Sequence, residues 1–85
     1  MSDNIRHPHH YIRNGIECID AIKAAVQGLD GFEAYCIGNV IKYSWRWKWK
    51  NGVEDLRKAE QYLEFLKEYL GAKDTHRGGS SIAHY

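Results

Sequence analysis

The chain has 85 residues, of which 44% are hydrophobic and 27% charged, so it holds at most one folded domain. Twelve Lys and Arg residues against eleven Asp and Glu give a net charge of +1, which argues against a general polyanion-binding protein such as a histone. No stretch approaches the roughly 18 consecutive apolar residues of a membrane span and the first residues lack a signal-peptide profile, so we expect a cytoplasmic protein without a membrane partner.

The first predicted element is a helix over about residues 16–27, where apolar residues recur at intervals of three and four. Gly28 is its predicted end. Two acids off the apolar stripe, Glu17 and Asp20, lie three residues apart and could bind Mg²⁺ together with the phosphates of a ligand. The alternative is a pair of exposed helical acids, with Lys23 placed to pair with Asp20. The apolar stripe consists of Ile16, Ile19, Ile22 and Val26.

The middle stretch, from Phe32 to Lys50, carries two competing patterns. Residues 43–50 alternate aromatic and polar side chains in the manner of a strand. Apolar residues also recur at helical intervals, however, and the sequence offers no second strand-like run as a pairing partner. We therefore predict a helix. The residues at helical intervals are Phe32, Cys36, Val40, Tyr43 and Trp47.

Three tryptophans, Trp45, Trp47 and Trp49, lie two residues apart in this stretch. Two residues turn about 200° around a helix, so the three side chains cannot all face the core of a monomer. We expect at least two of them at a subunit interface. The alternative is a stacking surface for nucleobases.

The last predicted helix covers residues 53–70, with Gly71 as its end and a capping-box-like start at Asn51 and Glu54. Its apolar face comprises Leu56, Ala59, Leu63, Leu66 and Leu70. Together the three helices predict a small all-α domain at residues 9–70. A flexible segment at 1–8 precedes this domain, and a flexible, polar, Gly/Ser-rich tail at 71–85 follows it.

Polar side chains line one side of the middle helix. Arg and Lys bind phosphate groups well, and Asn and Tyr can donate neutral hydrogen bonds, so this stripe suits the phosphates of a nucleotide. The alternative is a solvated basic face opposite an apolar one. The residues of the stripe are Asn39, Lys42, Tyr43, Arg46 and Lys50.

A second polar group begins the last helix, where Asp55, Lys58 and Tyr62 share one side. A carboxylate in the first turn complements the helix dipole, which by itself explains Asp55. Asp55 could equally hold the guanidinium of Arg46, orient a cation or act on a substrate hydroxyl.

Residue types that bind transition metals form no recognisable zinc motif in this sequence. Cys18 and Cys36 have no CxxC partner and lie in apolar-rich segments, so we expect buried, reduced thiols. Adjacent histidines of one chain rarely converge on one ion. We instead expect the histidine-rich opening to supply His10 and Tyr11 to a ligand, through stacking or hydrogen bonding.

Four segments occur in a recognisable order: HHY at 9–11, GIECID at 15–20, GNVIKYSWR at 38–46 and KNGVEDLRKA at 50–59. Together they resemble a small bacteriophage family known as nucleotide-kinase-like, many of whose members are proteins of unknown function. The resemblance covers about residues 9–70. It implies an all-helical phage protein of the host cytoplasm that handles nucleotides, similar to a kinase for deoxynucleoside monophosphates that lacks a P-loop.

The resemblance assigns candidate roles to the polar residues already described. The candidate catalytic residues are Asp55 and Glu17, and the candidate ligands for Mg²⁺, which a kinase would require, are Glu17 and Asp20. The predicted ligand-binding residues that match the family's motifs are His10, Tyr11, Asn39, Lys42, Tyr43, Arg46 and Lys58. Helical spacing alone adds Lys50 and Tyr62 to this set.

Three helices cannot easily enclose two substrates and exclude water from a phosphoryl transfer. A chain of this size buries only about 60% of its unfolded surface, so it would gain stability from oligomerisation. We therefore predict a homo-oligomer with the tryptophan-bearing helix near its interface.

The leading functional hypothesis is a phage nucleotide-binding protein, with nucleoside monophosphate kinase as the activity if it is an enzyme. A second hypothesis is a non-catalytic sponge that sequesters a nucleotide or a cyclic nucleotide signal of host defence. A helical nucleotide pyrophosphatase is a third, although Glu17 and Asp20 supply a single acid pair where such enzymes have several. Single-stranded nucleic-acid binding is a fourth, and the near-neutral charge counts against it.

Overall fold

The computed structural model describes residues 12–73 of the chain. Three α-helices, a two-stranded hairpin and a 3₁₀ turn make up this part. In order, the elements are β1 (Ile12–Arg13), β2 (Ile16–Glu17), α1 (Cys18–Ala25), α2 (Gly31–Arg46), the 3₁₀ turn (Trp47–Trp49) and α3 (Val53–Lys73). The prediction of three helices is confirmed. The flexible segment predicted at 1–8 and residues 74–85 of the tail predicted at 71–85 lie outside the described residues. The prediction was wrong for residues 71–73, which belong to α3.

The hairpin corrects the prediction of an entirely helical domain. β1 and β2 are antiparallel, with Ile12 opposite Glu17 and Arg13 opposite Ile16. Asn14 and Gly15 join them with φ angles of 50° and 77°, the left-handed conformation that a two-residue hairpin turn requires. Because Ile16 and Glu17 are extended, α1 begins at Cys18 rather than at the predicted Ile16.

A capping box fixes the start of α2. The Asp30 carboxylate accepts a hydrogen bond from the Glu33 amide at 2.8 Å, and the Glu33 carboxylate accepts one from the Asp30 amide at 2.9 Å. The second carboxylate oxygen of Asp30 accepts a hydrogen bond from the Tyr69 hydroxyl of α3 at 2.8 Å. The same aspartate therefore begins one helix and anchors it to another.

The turn between α2 and α3 differs from the prediction of one helix as far as Lys50. α2 ends at Arg46 and the chain continues in the 3₁₀ turn, where the Trp47 carbonyl accepts a hydrogen bond from the Gly52 amide at 2.8 Å. Gly52 has a φ of 59°, a conformation that glycine adopts without strain, and this allows the chain to reverse into α3.

At 21 residues, α3 is the longest described helix, and it runs to Lys73, past its predicted end at Gly71. Charged side chains occur throughout it. Among the described helices, none combines the length and the apolar character needed to cross a bilayer.

α2 is the central helix, since it packs against α3 along its length and also against α1. Gly38 lies at the contact with α1, where a Cβ would be 3.4 Å from Cγ2 of Ile22. Within residues 12–73, the buried apolar side chains are Cys18, Cys36 and Ala59, so the prediction that both cysteines are buried is confirmed. The apolar core of the described chain is small, and many larger apolar side chains remain partly exposed.

Candidate functional site

Tyr43 of α2 is surrounded by three cationic side chains. The ammonium nitrogens of Lys42 and Lys58 lie 4.8 and 5.5 Å from the centre of the Tyr43 ring, and the guanidinium carbon of Arg46 lies 4.8 Å from it. All three are within the range of a cation–π interaction. We call Lys42, Tyr43, Arg46 and Lys58 the cationic cluster.

Helical spacing and the reversal of the chain together build this cluster. Lys42, Tyr43 and Arg46 occupy neighbouring positions on α2, and the short turn brings the first part of α3, with Lys58, alongside them. The sequence predicted a polar stripe on each helix, and the structure brings members of the two stripes together around one ring.

Arg46 is held by Asp55, the one charged side chain that is completely buried among the described residues. Nε of Arg46 donates to Oδ2 of Asp55 at 3.2 Å, and Nη2 donates to Oδ1 at 3.3 Å. The backbone amide and the side-chain amide of Asn51 also donate to the two Asp55 oxygens, at 3.3 and 3.1 Å. Of the roles considered for Asp55, holding the Arg46 guanidinium is therefore confirmed. Its catalytic role stays a prediction.

The surroundings of Asp55 favour its charged form. Burial alone would raise the pKa of this carboxyl, but hydrogen bonds from Arg46 and Asn51, together with the Arg46 charge, hold that pKa below its ordinary value. Four hydrogen bonds occupy the carboxylate. Such a group is well suited to positioning Arg46 and poorly suited to accepting a proton.

An aromatic row, Tyr35, Tyr62 and Phe65, continues from the cationic cluster. The Tyr62 ring stacks on Tyr43 with centres 6.0 Å apart and planes inclined by 17°. Tyr35 and Phe65 each meet Tyr62 edge-on at 5.6 Å. Tyr35 is 54% exposed and Phe65 39% exposed, so the row presents ring surface to solvent.

Asn39 lies between the row and the cluster on α2. Its side-chain amide donates a hydrogen bond to the Tyr35 carbonyl at 2.9 Å, which orients the amide group. Tyr35 and Phe65 were missed in the sequence, although Tyr35 lies four residues before Asn39 and eight before Tyr43 and so shares their side of the helix.

The candidate Mg²⁺ ligands lie at the start of α1. Asp20 is 3.9 Å from Lys23, with a side chain 61% exposed, as in the ion pair considered from the sequence. Among residues 12–73, no group of three or more His, Cys, Asp or Glu side chains could hold a metal ion. The predicted role of Glu17 and Asp20, to bind Mg²⁺ alongside ligand phosphates, stays a prediction.

The first residue of α1, Cys18, is within electrostatic range of Lys42. Burial raises the pKa of the Cys18 thiol, while the positive charges of Arg13 and Lys42 act on the same thiol and partly oppose that effect. Lys42 therefore acts electrostatically on Cys18, the residue that follows Glu17.

One other predicted residue, Lys50, lies apart from the cluster. Lys50 is exposed in the turn before α3 and is not among the cations around Tyr43. His10 and Tyr11 lie outside the described residues.

Two tryptophans contact an arginine of the hairpin. The Arg13 guanidinium carbon lies 5.1 Å from the centre of the Trp45 ring and 4.9 Å from that of Trp49. Trp47 and Trp49 are 37% and 58% exposed. Trp45 and Trp49 thus attach the hairpin to the end of α2, while their predicted part in a subunit interface stays a prediction.

Comparison with known proteins places the chain in a family. A family model described as a protein of unknown function, DUF3310, matches residues 5–64, more than half of the chain. The Gene 1.7 protein of Enterobacteria phage T3 is 31% identical over 76 residues, covering 84% of this chain and 46% of that protein. The chain thus spans about half the length of this curated relative. No solved structure matches.

These matches confirm the predicted kinship with a bacteriophage family of unknown function. They give no support to the kinase part of the resemblance, which stays a prediction. On the extent of the family match, the chain belongs to the DUF3310 family of proteins of unknown function.

Proposed function

We propose that the cationic cluster and the aromatic row together bind a nucleotide. The observation that carries this proposal is the convergence of Lys42, Arg46 and Lys58 within 5.5 Å of the Tyr43 ring. Asp55 offsets the charge of Arg46 from the buried side. The lysine charges remain at the surface, where a phosphate group can reach them.

The two lysines are available to a ligand. None of the ion pairs within residues 12–73 includes Lys42. Lys58 lies 3.9 Å from Glu54, and both side chains are well exposed, at 42% and 67%. An exposed pair of this kind is weak, so a phosphate can replace Glu54 at little cost in free energy.

The aromatic row adds a surface for the base of a nucleotide, which a site for a simple anion would lack. The exposed ring of Tyr35 offers a flat apolar surface on which a nucleobase can stack. Tyr35 and Lys42 are seven residues apart on α2, a distance of about 10.5 Å along the helix axis. This length suits a nucleoside monophosphate with its base on Tyr35 and its phosphate at Lys42.

Binding without bond cleavage is the activity that the described geometry supports best. The buried acid of the cluster, Asp55, has its oxygens occupied by Arg46 and Asn51. A nucleotide-sequestering protein needs no general base and no metal. The experiment described next also tests for kinase activity.

Isothermal titration calorimetry tests the proposal. The protein is titrated with nucleoside and deoxynucleoside monophosphates, a cyclic dinucleotide and inorganic phosphate, in EDTA and in Mg²⁺. We expect one of the nucleotides to bind more tightly than inorganic phosphate. If none of them binds better than phosphate, the proposal fails. Formation of diphosphate after addition of ATP would extend the proposal to a kinase.

Lys42→Ala provides the matching variant, with Lys23→Ala as the control because Lys23 is 72% exposed on α1. Loss of a charge-assisted contact should weaken nucleotide binding about tenfold or more. Lys23→Ala should bind like the wild type. Equal affinity of Lys42→Ala and the wild type would remove the cluster as the phosphate site.

A further inference from the structure

We propose that α3 pairs with α3 of a second copy of this chain, in antiparallel orientation, through a stripe of three leucines. Leu56, Leu63 and Leu70 follow one another at intervals of seven residues and are 37%, 42% and 37% exposed. We call these residues the leucine stripe. Leucines repeated every seven residues form a continuous seam along one helix, the arrangement by which helices pair in coiled coils.

The stripe borders a groove that the described chain leaves unfilled. Leu63, Leu66 and Leu70 of α3 and Ile37 of α2 provide the apolar walls of this groove, which has a volume of about 750 Å³. The side of α3 that faces α2 is occupied by other residues, including the buried Asp55 and Ala59. The leucines thus lie beside the intramolecular helix contact and remain open to a partner.

Charges beside the stripe favour a second copy as the partner, in antiparallel orientation. Glu60 lies three residues before Leu63 and Lys67 lies four residues after it, and both line the groove together with Glu64. Lys67 forms an ion pair with Glu64 at 3.3 Å, but both side chains are well exposed, so the pair is weak and Lys67 can exchange it for a carboxylate of the partner. In an antiparallel pair centred on Leu63, Leu56 of each copy lies opposite Leu70 of the other, and Glu60 lies within one residue, about 1.5 Å along the axis, of the position opposite Lys67. In a parallel pair, Glu60 would face Glu60 and Lys67 would face Lys67, which like-charge repulsion disfavours.

The segments outside the described residues have little with which to cover the stripe themselves. Their large apolar side chains are Met1, Ile5, Tyr11, Ile82 and Tyr85, which do not repeat every seven residues as the leucines of the stripe do. The leucine stripe of a second copy supplies three leucines already spaced to match. This location differs from the interface at the tryptophan-bearing helix that was predicted from the sequence.

The candidate nucleotide site stays open in this dimer. Leu63 and Phe65 are two residues apart, so they point in directions about 200° apart around α3. Tyr62, the other member of the aromatic row on α3, points about 100° away from Leu63. The leucine stripe and the aromatic row therefore lie on different sides of the helix. Nucleotide binding and dimerisation can each be lost without the other.

Sedimentation equilibrium of the full chain over a wide concentration range tests the dimer. We expect twice the chain mass for the wild type and the chain mass for Leu63→Glu, with circular dichroism showing that the variant remains helical. A wild type that stays monomeric at every concentration would overturn the proposal.

A charge reversal tests the orientation and does not depend on how Leu63→Glu folds. Glu60→Lys should raise the dissociation constant of the dimer about tenfold or more, because it places two lysines opposite each other. Glu60→Lys combined with Lys67→Glu should restore the wild-type constant. Glu68→Lys, on a different side of α3, is the matched control and should dimerise like the wild type. An unchanged constant for Glu60→Lys would refute the antiparallel pair.

Discussion

Arg46 extends from the last turn of α2 to Asp55 in the first turn of α3 and donates two hydrogen bonds to a carboxylate that solvent does not reach. Asn51 donates to the same carboxylate from the intervening turn. One buried acid thus joins two helices and the segment between them, and it fixes one of the cations beside Tyr43.

Arg46→Ala should destabilise the fold, because it leaves the Asp55 charge buried without its partner. Breaking a buried ion pair on one side costs about 3 to 5 kcal/mol. Urea unfolding followed by circular dichroism measures this loss. Lys58→Ala, which removes an exposed cation from the same cluster, is the control and should lose less than about 1 kcal/mol. If the free energy of unfolding fell by the same amount in both variants, the buried Arg46–Asp55 pair would contribute no more than an exposed cation.

The stability of the fold should fall in acid through Asp55. The pKa of this carboxyl is lower in the folded chain than its ordinary value of 3.8, so its contribution is complete above that pH and is lost as the pH falls through the lowered folded value. Urea midpoints measured across this range should decrease toward low pH. Carbon NMR titration should show Asp55 ionised at pH 3.8 in the native state, and a half-protonated group there would contradict the expectation.

Tyr35→Ala should separate base recognition from phosphate recognition. Stacking of a base on an aromatic ring is worth about 1 to 3 kcal/mol, so nucleotide affinity should fall roughly 5- to 150-fold. Affinity for inorganic phosphate should not change, because Lys42 and Lys58 remain. Calorimetry on both ligands measures the difference. A parallel loss for the two ligands would place the base elsewhere.

Both cysteines should resist thiol reagents in the native protein. Burial raises the pKa of the Cys18 and Cys36 thiols, which lowers the fraction of reactive thiolate, and it also blocks access. With an aromatic disulfide reagent at mildly alkaline pH, we expect reaction only at the rate of unfolding. Adding denaturant should release two thiols per chain at once. A rapid native reaction would show that one of the two sites opens readily.

Arg13→Ala should detach the hairpin from the end of α2. Its guanidinium lies about equally far from the Trp45 and Trp49 rings, and each such contact contributes about 0.5 to 2 kcal/mol. We expect tryptophan fluorescence to shift to longer wavelength as the rings gain contact with water. Lys23→Ala leaves this contact intact and should keep the wild-type spectrum.

The helices and the cationic cluster were predictable because both depend on local spacing. Intervals of three and four placed Lys42, Tyr43 and Arg46 on one side of a helix, and a short connection to the next helix could bring only a few residues of α3 beside them. The hairpin was also predictable, since Asn14-Gly15 is a strong turn signal. It was missed because the apolar pattern of Ile16 and Ile19 was assigned to a helix.

The sequence does not show which of two neighbouring faces of a helix is covered by another helix. Leu63 and Leu66 belong to one apolar face by periodicity, yet the extent to which each is covered depends on where α2 lies. The aromatic pattern at residues 43–50 had a similar ambiguity. Two of its tryptophans, Trp45 and Trp49, lie beside Arg13, a residue distant in sequence whose position depends on the hairpin. Tyr35 was overlooked because an exposed tyrosine gains significance only once Tyr62 and Phe65 lie beside it.

The Arg46–Asp55 pair also bears on the order of events during folding. Its two residues are 9 apart in the chain, whereas the Tyr69–Asp30 hydrogen bond at the other end of the same helix pair joins residues 39 apart. Closing a short loop costs less conformational entropy than closing a long one, so contacts next to the turn can form first. We expect α2 and α3 to associate from the turn outward, with the aspartate that caps α2 meeting Tyr69 last.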